Sequence, residues 1–206
     1  MTPSMFPQCH PEYSRGMTYV ELIVVLSIFS VLSSVAIFNY GNFQSKIDVK
    51  NLASDVALKV IEAQKSSLSG VLPPLSQQAQ IDPTWRPSYG IYFDISAGGD
   101  NKSFNYFTDL DQNGELADPD CLGNSECLEK ITITKENRIS SLDVYYEGGS
   151  TPITDLTVTF SRPNSGAILR STANLGVVSY VEIVFASPSS ENSNIKIYPS
   201  GRIEVD

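Results

Sequence analysis

The sequence predicts an α+β fold: a long N-terminal helix, membrane-spanning in its first half, packed on a C-terminal antiparallel β domain. Three observations lead there. Residues 22–38 form a run of seventeen positions without charge, Gly or Pro. Residues 43–65 carry apolar residues at helical spacing. From Tyr89 onward, apolar and polar residues alternate with period two between turn-forming clusters.

The first element is a leader. Residues 1–16 are mostly polar, contain Pro3, Pro7 and Pro11, and end in Ser14-Arg15-Gly16. An ordinary secretory signal places its small-residue cleavage site after the apolar run, whereas here the Gly comes before it. After the run, only Ser33-Ser34-Val35-Ala36 offers a weak site of that kind. From Met17 to Tyr40 the segment reaches roughly 36 Å as a helix, enough to cross a bilayer.

The helix is expected to continue over residues 41–69. Phe43, Ile47, Leu52, Val56 and Val60 fall near one face, joined by Ala53, Ala57 and Ala63. Asp48, Lys50, Asp55, Lys59 and Glu62 lie on the other side, the pattern of an amphipathic helix. Gly41 is a place to bend, and Ser69-Gly70 followed by Pro73-Pro74 is a stop signal. Residues 70–88 read as a connector.

The β domain covers residues 89–206. Its expected strands are 89–95, 104–110, 130–135, 139–146, 156–161, 167–170, 178–185, 195–198 and 202–205. Gly98-Gly99, Gly148-Gly149, Pro163-Asn164-Ser165-Gly166 and Pro199-Ser200-Gly201 supply turns.

Composition narrows the function classes. The 206 residues hold 14 Lys and Arg against 23 Asp and Glu, a net charge of −9. Nucleic-acid affinity rests on clustered cations, so no nucleic-acid partner is expected. The single His, His10, lies in the leader. Once the leader is removed, nucleophile–His–acid triads and His-ligated metals are excluded, and no enzyme activity is expected.

Glu21 stands alone at the edge of the apolar run, where a carboxylate is costly and usually functional. Around it, RGMTYVELIVVLSIFSVL resembles the class III signal of type IV pilins and type II secretion pseudopilins. The resemblance implies cleavage between Gly16 and Met17 by a prepilin peptidase, and methylation of the new amine on Met17. Glu21 then takes the role of the family's fifth-position Glu; Met17 departs from the commoner Phe. The implied partners are the peptidase, other pilins or pseudopilins, and a membrane assembly platform. The implied place is the inner membrane, single-pass, with the globular domain outside. Physically, Glu21 seeks a positive partner: its own α-amine about one turn away, or a neighbouring subunit's, which would penalise wrong registers. Snorkelling to the interface is the alternative.

Tyr89-Gly90-Ile91-Tyr92-Phe93, Tyr106 through Gly114, Ile131-Thr132-Ile133 and Ser200-Gly201-Arg202-Ile203 occur in the order seen in H-type minor pseudopilins and related minor pilins, which they resemble. That branch implies a low-copy subunit near a filament tip or in a priming complex. The alternative is a membrane-anchored adhesin or binding module for a glycan, a surface or DNA.

Four further constellations occur in the sequence. Cys9 lies in the leader; Cys121 and Cys127 are close together in an exported domain and favour a disulfide over free thiols. By loop-closure entropy, so short a ring stabilises by only ~2 kcal/mol. Asp109-Leu110-Asp111-Gln112-Asn113-Gly114 follows the D-x-D-x-N-G pattern of calcium loops. The expected Ca²⁺ ligands are Asp109, Asp111, Asn113, the Glu115 carbonyl, and Asp118 or Asp120 near the closing position, where Asp120 is shorter than the usual Glu. A plain Asn-Gly turn is the alternative. Finally, Tyr92, Phe104, Tyr106 and Phe107 suggest a carbohydrate platform, but at period two half of them face a core. Asp94, Asp100 and Asp109 have no spacing that makes a glycosidase pair.

Overall fold

The computed structural model describes residues 16–121 and 126–206, the side chains of Phe38, Asn39 and Asn42 apart. Most of the leader, with Cys9 and His10, lies outside the described residues. The chain divides into two units, Met1–Gly41 and Asn42–Asp206.

In the first unit, helix α1 (Tyr19–Leu68) begins. Its start is a cap. The Thr18 hydroxyl accepts the Glu21 backbone N–H at 3.2 Å, and the Thr18 carbonyl accepts that of Leu22 at 3.1 Å. Thr18-x-x-Glu21 is thus the sequence of a capping box, with its first half formed. Between Tyr19 and Ile37 the mean hydropathy is 2.4 and none of the segment is buried in the protein. Ser27 and Ser30 donate their hydroxyls to the carbonyls of Val24 and Leu26, so these polar groups are satisfied within the helix. This segment is long and apolar enough to cross a membrane.

In the second unit, α1 runs to Leu68 and stops on a left-handed glycine. Gly70 has φ +70°, its N–H donates to the Ser67 carbonyl and that of Val71 to Ser66, the Schellman pattern. The buried stripe consists of Val49, Ala53, Val56, Ala57, Val60 and Ala63. It starts later than expected: Phe43 is 62% exposed and Ile47 36%, while Val49 is fully buried. A short helix, α2 (Leu75–Gln78), interrupts the segment read as connector.

Ten strands follow. They are β1 (Ser88–Asp94), β2 (Ser103–Thr108), β3 (Cys127–Thr132), β4 (Arg138–Tyr146) and β5 (Gly149–Ile153), then β6 (Asp155–Ser161), β7 (Ala167–Arg170), β8 (Tyr180–Ala186), β9 (Asn192–Ile197) and β10 (Ile203–Val205). They build two five-stranded sheets, ordered β3-β2-β1-β6-β7 and β10-β9-β8-β4-β5. Every pairing is antiparallel. The fold is therefore α+β, an N-terminal apolar helix and a C-terminal antiparallel β domain. β5 is an addition to the expected strands: Gly148-Gly149 reads as a turn, and Pro152 is unusual within a strand. It survives as the edge of its sheet, where a strand tolerates proline.

The main core joins the stripe of α1 to both sheets. Ile91 and Phe93 of β1, Val158 and Phe160 of β6, and Ile183 and Phe185 of β8 are fully buried in it. The first sheet is also covered on its second face. Phe107, Leu110 and Leu116 are buried outside the main core cluster. This is why β2 is buried at every position rather than at alternate ones. Gly90 makes room there: a Cβ on it would stand 2.6 Å from the Phe107 ring and 2.9 Å from the Val158 carbonyl oxygen. Gly90→Ala is expected to destabilise the domain by about 1–3 kcal/mol through overpacking, seen as a lower melting temperature.

Candidate functional site

Two places carry polar groups that the fold does not explain, one in each unit. In the first, Gly16, Met17 and Thr18 precede α1, and Glu21 occupies its first turn. Glu21 is exposed, and its neighbours Val20, Leu22 and Val24 are 70%, 45% and 50% exposed. Among the described residues its carboxylate forms no ion pair. An isolated carboxylate on an otherwise apolar surface is stable in hydrocarbon only with a partner from outside that surface.

The second place is the loop 109–126 between β2 and β3. Antiparallel pairing brings its two ends together. The register slips between Tyr106 and Phe107, so that Phe107 faces Cys127. The Thr108 N–H then donates to the Glu126 carbonyl at 2.9 Å, and that of Asp109 to Ser88 at 3.1 Å. Cys121 and Cys127 sit with their sulfurs at bonding distance, 1.89 Å, and Cα atoms 5.2 Å apart. The loop closes over the sheet through the Trp85 indole, donating to the Asp109 carbonyl at 2.9 Å, and the Thr159 hydroxyl, donating to the Gly114 carbonyl at 3.2 Å.

Asp109 and Glu126 are 2% and 6% exposed; Asp111 is exposed. One carboxylate oxygen from each of the three lies within 4.8 Å of the others. Asp109 Oδ2 accepts the Ser88 hydroxyl at 2.9 Å and the Gly114 N–H at 3.2 Å. Its other oxygen, Oδ1, is buried without a hydrogen-bond partner. Glu126 accepts the N–H groups of Leu110 at 2.8 Å and Ala117 at 3.1 Å. Burial pushes the Asp109 carboxyl above the usual range; Ser88 and Gly114 oppose this, and nearby Asp111 adds to it. Burial likewise raises Glu126, opposed by the two amides and reinforced by Asp111 and Asp109. A buried acceptor left unsatisfied costs about 1–3 kcal/mol. None of the three forms an ion pair with a Lys or Arg among the described residues.

The expected calcium ligands are thus only partly brought together. Asp109 and Asp111 converge. Asn113 spends its side chain inside the loop, donating to Asp111 at 2.8 Å and accepting the Glu115 N–H at 2.6 Å. The Glu115 side chain turns to Arg170, at 3.6 Å. Asp118 accepts the Asp120 N–H at 3.1 Å, and Asp120 lines a separate groove with Asp94 and Asp100. Asp109 is not in that groove, so these carboxylates form no pair with it. Glu126 was missed because it lies outside the loop spacing; its position beside Cys127 was the only signal.

The aromatic expectation also shifts. Phe104, Tyr106 and Phe107 are buried. Tyr92 is half-buried, and a second half-buried aromatic row is formed by Tyr145, Tyr180 and Tyr198, with ring centroids 4.5 Å and 5.4 Å apart and the Arg202 guanidinium 3.8 Å over Tyr198. Compared with protein-family models, with curated proteins and with solved structures, the chain finds no match in any of the three.

Proposed function

We propose that this chain is a minor pilin or pseudopilin, a structural subunit of a type IV pilus or type II secretion pseudopilus that assembles through its N-terminal helix. The observation that carries the reading is the first turn of α1: a single carboxylate, Glu21, in a helix whose apolar side chains have no cover from the protein. Its position five residues after Gly16, counting Met17 as the first, matches the processing signal that the sequence resembles. The α+β architecture, with an apolar helix leading into an antiparallel β domain, is compatible with it. In this reading the chain is anchored once in the inner membrane, its β domain lies outside, and its partners are the prepilin peptidase, the assembly platform and other subunits. It has no catalytic role.

Processing tests the proposal. In cells with an active prepilin peptidase, intact-mass analysis is expected to give a chain beginning at methylated Met17. Gly16→Trp should block the cut, because a bulky side chain then stands at the scissile position. A wild-type product that keeps residues 1–16 overturns the reading.

One observation favours the second reading, a membrane-anchored adhesin or binding module. The tyrosine row on β4, on β8 and just after β9 presents one stacked pair and a tilted third ring beside Arg202, a surface suited to a glycan. Filament preparations separate the two: a structural subunit sediments with sheared filaments, and an independent adhesin stays in the membrane fraction.

A further inference from the structure

The geometry points to a calcium site in the β domain, with Asp109, Asp111 and Glu126 as its ligands. The inference stands apart from the proposed assembly role. Three carboxylates converge, two of them almost wholly buried. Acidic residues often cluster without an ion, but this cluster contains a buried oxygen, Asp109 Oδ1, that nothing in the protein satisfies. Buried charges are normally paired or bound to a metal. No Lys or Arg is paired to the cluster among the described residues; Arg170, the cation beside the loop, reaches Glu115 instead.

The rest of the geometry prepares the three groups. The Ser88 hydroxyl and the Gly114 N–H hold one oxygen of Asp109, and the amides of Leu110 and Ala117 hold Glu126. These bonds orient the carboxylates and leave acceptor capacity free. Gly114, with φ +76°, makes the sharp turn that calcium loops require at their sixth position. Glu126 supplies the longer closing side chain that the loop's own twelfth residue, Asp120, lacks. It comes from inside the disulfide ring, next to Cys127, and is set opposite Asp109 by the β2–β3 pairing. Asp111 and Glu126 both open onto a groove shared with Asp82, which gives the ion a way in. All-oxygen, all-carboxylate donors select a hard cation. Ca²⁺ accepts irregular geometry of six to eight oxygens, whereas Mg²⁺ demands a near-ideal octahedron.

The test uses the full chain in detergent, stripped with EDTA and titrated calorimetrically with CaCl₂. One ion per chain is expected, with Kd on the order of 10⁻⁴–10⁻³ M. At 10 mM CaCl₂ the melting temperature should rise by about 3–10 °C, reversed by EDTA, with a smaller response to MgCl₂. Asp111→Asn, at an exposed position, should fold normally and weaken binding at least tenfold; Glu126→Gln should do the same. Asp120→Asn should bind like the wild type. No heat and no melting shift at millimolar Ca²⁺ overturns the site, as does wild-type binding by Asp111→Asn. A cluster stabilised by acid alone, with no response to calcium, would show that protons rather than a metal neutralise it. Loss of binding in Asp120→Asn would return the site to the linear loop. None of these readouts involves leader processing, so failure here leaves the assembly proposal untouched.

Discussion

Glu21→Ala is expected to insert into the membrane at least as well as the wild type and to enter filaments on the order of a hundredfold less. The two halves of this result have one cause. A carboxylate in hydrocarbon costs a few kcal/mol, so removing it favours insertion. In the proposed assembly the same group pairs with the α-amine of a neighbouring Met17 and so resists every register that breaks the pair. Removing one partner of a buried ion pair costs about 3–5 kcal/mol, and about 1.4 kcal/mol is a factor of ten. The Thr18 hydroxyl caps the backbone N–H of Glu21 and not its side chain, so the cap stays in place and the helix start is not the variable. Glu21→Gln retains size and hydrogen bonding but not charge, and should fail nearly as badly. Quantifying each variant in sheared filaments against the membrane fraction checks this. Normal incorporation of both variants would show that Glu21 has no assembly role.

Gly201→Ala should destabilise the β domain by about 3–5 kcal/mol and lower its melting temperature by about 10 °C or more. Gly201 has φ +84°, in the left-handed region that costs other residues strain. Its N–H closes the turn before β10 by donating to the Tyr198 carbonyl at 2.8 Å. A Cβ there would collide with the Ser165 carbonyl oxygen and stand 2.6 Å from Gln64 Nε2. That amide donates to Ser165 at 2.8 Å and to the Gly201 carbonyl at 3.1 Å. One side chain of α1 therefore ties together the β6–β7 turn and the C-terminal turn, and the new methyl forces them apart. Gly148→Ala is the control: nothing lies within 4 Å of its Cβ, so the change should stay within about 0.5 kcal/mol. Equal melting temperatures for the two variants would refute the argument.

Local signals in the sequence located most elements and left their surroundings open. The 167–170 run was read to the residue, and β1, β4 and β6 shift only at their ends, because strict alternation marks strands with one face on the main core. β5 escaped because Gly149 and Pro152 carry the chemistry of turns; only its place at a sheet edge makes it a strand. The onset of the helix stripe was misplaced for a related reason. Phe43 and Ile47 fit the period as well as Val49 does, but burial depends on what the other elements bring opposite them.

The candidate site divides along the same line. By itself the sequence determined the lone Glu21, the nearness of Cys121 to Cys127, and the Asp109-x-Asp111-x-Asn113-Gly114 turn, since each depends on neighbours along the chain. Only the tertiary structure decided that the Asn113 side chain turns to other partners, that Asp120 leaves for another groove, and that Glu126 joins Asp109 and Asp111. That convergence follows from the slipped antiparallel register of β2 and β3. Hydrogen bonds between strands, which no spacing along one chain encodes, carry residues 109 and 126 to the same few ångströms.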